Sequence, residues 1–186
     1  MALRKPPRPT HLPDLSLLEG IVAPRVLDAL RAASQQLTRV GIRHALVGGL
    51  AVGAHGHPRA TKDVDFLVGD EAFGHHGGGL VTIAPGVPVQ VGDVAVDPIS
   101  IAPDERHLDA AVATPAVSDG IPIAPIEALL YMKLKSPRRK DSADIVELVK
   151  AGVATAPTRR YLEQIAPDLI DKFDMLVSEA IADDEG

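Results

Sequence analysis

Apolar side chains recur at steps of four and three from Val26 through Leu30, Ala33 and Leu37 to Val40, which predicts a helix over Pro24–Val40 with one buried face. Pro24 suits its first turn and Gly41 the position after its last. The period then changes. His44–Val47 reads as a short strand ending at Gly48–Gly49, followed by a small-residue helix from Leu50 to Ala54 and a turn at His55–Pro58. Lys62–Val68 is the clearest second strand, Gly69–Gly79 reads as a glycine-rich loop, and Val81–Ile83, Val87–Val91 and Val94–Ser100 read as short strands. From Pro125 the pattern is helical again: Pro125–Lys135, Ser142–Lys150 ended by Gly152, and a tail helix carrying Leu169, Phe173, Leu176 and Ala180 on one face.

The order of elements predicts an α+β domain, a small mixed β-sheet flanked by helices with a C-terminal helical part. Residues 1–13, with four prolines and three basic side chains, read as a flexible arm. Residues 14–123 form the expected core, and 124–186 the helical part of the same domain.

Two of the strands carry acids. Asp63 and Asp65 are two residues apart, so they share a strand face while Val64 and Phe66 point the other way. Like charges so placed repel, unless a divalent cation with hard oxygen ligands compensates them. Asp97 alternates with Val94 and Val96, and a neighbouring position for its strand would bring a third carboxylate to the pair; Asp93 sits in a turn instead. Gly48–Gly49 lets backbone approach a ligand closely. Lys133 falls on the helix after Pro125, and Arg138, Arg139 and Lys140 form a basic run in the next connection, suited to phosphate contacts. Asp141 reads as a helix N-cap, with Asp144 in the first turn. His55 with His57, and His75 with His76, lack helical ligand spacing, and no H-E-x-x-H occurs.

Composition narrows the function. A formal charge of −6 and the absence of tryptophan exclude a non-specific nucleic-acid coat and a base-stacking platform. With no cysteine there are no disulfides or thiolate metal sites. No apolar run is long enough to cross a bilayer and the start lacks a signal-like apolar stretch, so no membrane partner and a cytoplasmic location are expected.

The run Ala45-Leu46-Val47-Gly48-Gly49-Leu50-Ala51-Val52, then Gly56-His57-Pro58-Arg59-Ala60-Thr61-Lys62-Asp63-Val64-Asp65-Phe66, resembles the DNA polymerase beta-like nucleotidyltransferase superfamily. Its R-x-T-x-D-x-D version is similar to small bacterial and archaeal nucleotidyltransferases, among them toxin components related to type IV abortive-infection systems. Met132-Lys133-Leu134-Lys135 and Arg139-Lys140-Asp141 with Asp144 are similar to the helical half of those proteins, and the likeness covers roughly residues 40–150. It implies a magnesium-dependent transfer of a nucleoside monophosphate from a nucleoside triphosphate to a hydroxyl on RNA such as tRNA, on protein or on a small molecule. Gly48 and Gly49 would hold the β- and γ-phosphates and Lys133 the triphosphate, while Asp63, Asp65 and Asp97 would ligate two magnesium ions and carry catalysis. Arg138, Arg139 and Lys140 would meet phosphate or acceptor, and an antitoxin would be a partner. The segment between Asp65 and Asp97, short and glycine-rich here, departs from the longer helix usual in the family.

Other readings follow from the same residues. The fold could serve a binding or regulatory protein with weak or lost catalysis. Phosphoaspartyl transfer of the haloacid dehalogenase kind also uses D-x-D, but Leu67 stands where threonine or valine is expected. A metal-dependent glycosyltransferase uses D-x-D in a longer chain.

Overall fold

The computed structural model describes residues 11–184. In chain order it comprises helix α1 (Pro24–Arg39), strand β1 (His44–Val47), helix α2 (Gly48–Ala54), strands β2 (Val64–Val68), β3 (Phe73–His75), β4 (Val81–Ile83), β5 (Gln90–Val91) and β6 (Val94–Ile99), then helix α3 (Asp109–Ala113) and strands β7 (Ala116–Ser118) and β8 (Ile121–Ile123). Helices α4 (Ile126–Lys135), α5 (Arg139–Lys150), α6 (Thr155–Ile165) and α7 (Ile170–Asp184) complete it. The chain is an α+β protein with a mixed sheet flanked by helices.

Six strands form the main sheet in the order β5-β6-β2-β1-β8-β7. β1 runs antiparallel to β2 and parallel to β8, while β2 and β6 are parallel. The parallel step from β2 to β6 needs a long crossover, and the intervening chain supplies a separate two-stranded β3–β4 sheet. The glycine-rich segment expected as a loop therefore contains strand β3, and glycines 77–79 form a tight helical turn between the two strands.

Alternation sorts the sheet's faces. Val64, Phe66 and Val96 are buried on the face covered by α1, whose Ser34 hydroxyl meets Nε2 of the buried His44 at 2.9 Å. The α1 stripe of Val26, Leu30, Ala33 and Leu37 supplies the apolar surface that covers it. Val47, Asp65, Asp97 and Ile99 occupy the other face, towards α4.

Several boundaries differ from expectation. The β7–β8 hairpin, α3 and α6 have no counterpart among the expected elements, β5 is shorter than the predicted Val87–Val91 strand, and α5 begins at Arg139 rather than Ser142. Of the arm expected over 1–13, residues 1–10 lie outside the described residues. His11 stacks on His55 with ring centroids 5.5 Å apart and hydrogen-bonds through Nε2 to its carbonyl. Among the described residues no helix is long and apolar enough to cross a membrane.

Candidate active site

Asp65 is the second residue of β2 and pairs in register with Asp97 of β6, so the two side chains stand side by side on the face opposite α1. Asp63 comes one residue before β2 begins and is exposed. Asp65 is the half-buried member of the three. Burial, then Asp97, then Asp63 push its carboxyl up to about 6, against the opposing pull of Lys133 and Arg138. This is a carboxylate short of positive charge.

The β1–α2 junction closes over Asp65. Val47 is its antiparallel partner, and the next residue, Gly48, turns with φ +67°, a conformation open to glycine and costly to most other residues. A Cβ on Gly48 would lie 1.9 Å from an Asp65 carboxylate oxygen. One on Gly49 would lie 2.5 Å from the Thr61 hydroxyl and 3.3 Å from Nη2 of Arg59. The chain thus packs its backbone directly against Asp65, Thr61 and Arg59.

Opposite the sheet stands a wall of cations. Lys133 is 6% exposed and its Nζ lies 2.7 Å from Oδ1 of Asp141 and 2.7 Å from Oδ2 of Asp144. Arg59 grips Asp144 with both prongs, Nε at 2.8 Å and Nη2 at 2.9 Å. Nε of Arg138 and the Ser136 hydroxyl both donate to Oδ2 of Asp141, at 2.7 and 2.6 Å. Burial pushes the Asp141 carboxyl up, but the Lys133, Ser136 and Arg138 bonds outweigh it and bring it down to about 2. Three cations thus surround two buried acids, and the pull of Lys133 and Arg138 on Asp65 is outweighed by burial and its acidic neighbours.

This corrects the capping roles expected of Asp141 and Asp144. Arg138 occupies the N-cap of α5 and no side chain caps that end, because the helix starts two residues before Asp141. Both acids turn inward and tie α5 to α4 and to the lead-in of β2 instead.

Between the two walls lies a cavity of about 240 Å³, lined by Gly48, Gly49, Asp63, Asp65, Asp97, Lys133, Arg138 and Lys140, with Arg59 and Asp141. Every residue given a metal, phosphate or acceptor role from the sequence borders it except Arg139, which is exposed on the first turn of α5. Other cavities are larger, so the chemistry of the lining marks this one. Arg59 was missed as a site residue; its signal was the arginine of the R-x-T-x-D-x-D run.

The donor chemistry of Asp65 and Asp97 fits a magnesium ion, since both offer hard oxygens and Asp65 lacks compensating charge. As placed, no three His, Cys, Asp or Glu side chains among the described residues are arranged to hold a metal ion. Asp65 and Asp97 are a pair, with Asp63 at the edge.

No protein-family profile matches the chain. No curated protein matches it. Among solved structures it is similar to an antigenic nucleotidyltransferase-like protein from Paracoccidioides brasiliensis, at 18% identity over 82% of this chain and 95% of that one, with a TM-score of 0.41.

Proposed function

We propose that the protein is a nucleotidyltransferase that moves a nucleoside monophosphate from a nucleoside triphosphate to a hydroxyl acceptor. The observation that carries this reading is the cavity itself, with Asp65 and Asp97 in register on one wall, Lys133 and Arg138 on the other, and the bare backbone of Gly48–Gly49 at its edge.

The triphosphate enters between these walls. Its charge is met by Lys133, Arg138 and Lys140, and its phosphates approach the backbone of Gly48–Gly49 at the cavity's edge. Asp65 and Asp97 would hold magnesium, with Asp63 as a third ligand. When bound, magnesium supplies positive charge to the oxygens that gain electrons during transfer. The acceptor oxygen forms a bond to the α-phosphorus as the bond to the pyrophosphate oxygen breaks. The acceptor proton passes to Asp97, which is exposed at the cavity edge. The buried Lys133–Asp141–Asp144–Arg59 network fixes the cationic wall, so its charge is oriented before substrate arrives.

Incubation with each α-labelled nucleoside triphosphate and magnesium, against RNA, protein and cell extract, tests the reading. Label should move to an acceptor in a reaction lost by about two orders of magnitude or more in Asp65→Asn and Asp97→Asn. A second reading, nucleotide binding with weak catalysis, is favoured by the open arrangement of the three acids. Saturable nucleotide binding without transfer to any acceptor would select it. A toxin role rests on the resemblance over residues 40–150 alone; arrest of growth on expression, abolished by Asp65→Asn, is its test.

A further inference from the structure

We infer that the protein has a second ligand site, for a small zwitterionic amine such as an amino acid with an apolar side chain, at the far end of α2 from the Gly48–Gly49 turn. Two cavities of about 200 and 390 Å³ share Thr114, Pro125, Glu127 and Pro157 as a common wall, and together form a cleft between α3, the start of α4 and α6. The larger is at the small end of the size range for ligand pockets, roughly 300–1,000 Å³, suited to an amino acid rather than a nucleotide.

Each cavity is lined by an imidazole with an unsatisfied nitrogen. His55, the C-cap of α2, is 1% exposed, and its Nε2 is 2.9 Å from the carbonyl oxygen of Ala124. A carbonyl only accepts, so Nε2 carries the proton and Nδ1 is a bare acceptor. Nδ1 is buried and has no hydrogen-bond partner among the described residues. Nε2 of His107, in the other cavity, is likewise buried and unpartnered. Orphaned buried polar atoms are uncommon and costly, and these two lie just behind the cleft's wall, where a ligand alters their surroundings without touching them.

Charge and shape define the ligand. Glu127 lies between the cavities and Arg160 lines the larger one, and neither has an ion-pair partner among the described residues. The Glu127 carboxylate is an acceptor and suits an ammonium group, while Arg160, exposed at the middle of α6, suits a carboxylate. The Tyr161 ring, edge-on to His107, and the prolines at 125 and 157 offer apolar surface for the body of the ligand. A metal ion does not fit, since these groups form no cluster of three ligands among the described residues.

The cleft is separate from the nucleotide cavity. Leu129, Met132 and Lys133 of α4 border the nucleotide cavity, whereas Ile126, Glu127 and Ala128 border the cleft.

Calorimetric titration of the full chain with L-phenylalanine, phenethylamine and 3-phenylpropionate, without nucleotide, tests the site. L-Phenylalanine should bind saturably and roughly tenfold more tightly than either single-charge analogue, and Glu127→Gln or Arg160→Ala should each weaken it roughly tenfold. The ¹⁵N resonance of His55 Nδ1 should shift on binding in the unaltered protein. No saturable binding at millimolar concentration, binding indifferent to both substitutions, or a static His55 resonance would each overturn the inference. None of these readouts depends on nucleotidyl transfer.

Discussion

Gly48 and Asp65 are packed so closely that a Cβ on the first would fall 1.9 Å from a carboxylate oxygen of the second. The contact fixes the height at which Asp65 stands in the cavity, and the φ of +67° at Gly48 sets the direction in which the chain leaves β1. Gly48→Ala must therefore strain the backbone and displace the carboxylate together. We expect a stability loss of about 1–3 kcal/mol in urea denaturation, and loss of magnesium-dependent nucleotide binding. Unchanged stability with full nucleotide affinity would show that this turn has no part in the site.

Asp65 also predicts an unusual pH dependence. Its carboxyl is raised from an ordinary 3.8 to about 6, so between those values the folded protein holds a proton that the unfolded chain releases. In the metal-free protein this group costs stability as pH rises through that window, and the cost is complete above about 6, at most about 3 kcal/mol. Asp65→Asn should melt at a higher temperature than the unaltered protein at neutral pH, and the gain should shrink as pH falls towards 4. Magnesium should shift the melting of the unaltered protein and leave Asp65→Asn unmoved. A variant destabilised at every pH would mean that the carboxylate holds the fold together.

The opposite sign applies at Asp141. Its carboxyl is brought below 3.8 to about 2, so its stabilisation is present at neutral pH and is lost as pH falls through 3.8 towards 2. Lys133→Met leaves Asp141 and Asp144 buried with fewer cations, which should cost about 3 kcal/mol or more. Adding Asp141→Asn should recover part of that loss, because the orphaned charge is gone. A double-mutant cycle by chemical denaturation measures this coupling. Strict additivity would show that Lys133 and Asp141 do not act on each other.

The residues that could be read from the sequence were those whose geometry is local. Asp65 follows from the period of two in a strand and Gly48–Gly49 from the end of the preceding one, whereas Asp63, expected beside Asp65 on that strand, falls one residue before β2. The register of Asp97 against Asp65 needed only that β6 lie beside β2. The Arg59–Asp144 pair spans 85 residues, and no spacing rule reaches that far. Asp141 misled because three more residues at the start of α5 turn a cap into a buried ion-pair partner. The β7–β8 hairpin carries one local signal: Asp119-Gly120, with φ of 49° and 72°, is a turn dipeptide of the kind that joins two-residue hairpins. Its strands are three residues each and one contains Pro122, which hid them. Helix α6 escaped because only Thr158 and Leu162 are fully buried, too few for a stripe.

The acceptor is addressed by the basic run that opens α5. Arg138, Arg139 and Lys140 are all exposed, yet they differ in their ties. Arg138 is bonded to Asp141 and Ser136, and it borders the cavity together with Lys140, whereas Arg139 does not. On an acidic chain, so short a cationic patch suits a few phosphates of a structured RNA end rather than a long duplex. Arg139→Ala with Lys140→Ala should weaken RNA binding and flatten its log–log salt dependence by about 1.4, roughly 0.7 for each lost single-strand contact. Nucleotide affinity should fall only modestly in that double variant, since Lys133 and Arg138 remain. Arg138→Ala should do the reverse, loosening Asp141 and lowering nucleotide affinity more than RNA affinity. The measurement is transfer of label from α-labelled nucleoside triphosphates to purified tRNA across a salt series, beside direct binding of each component. Transfer indifferent to salt and to the double change would exclude RNA contact at this patch, and label on protein in its place would make a protein hydroxyl the acceptor.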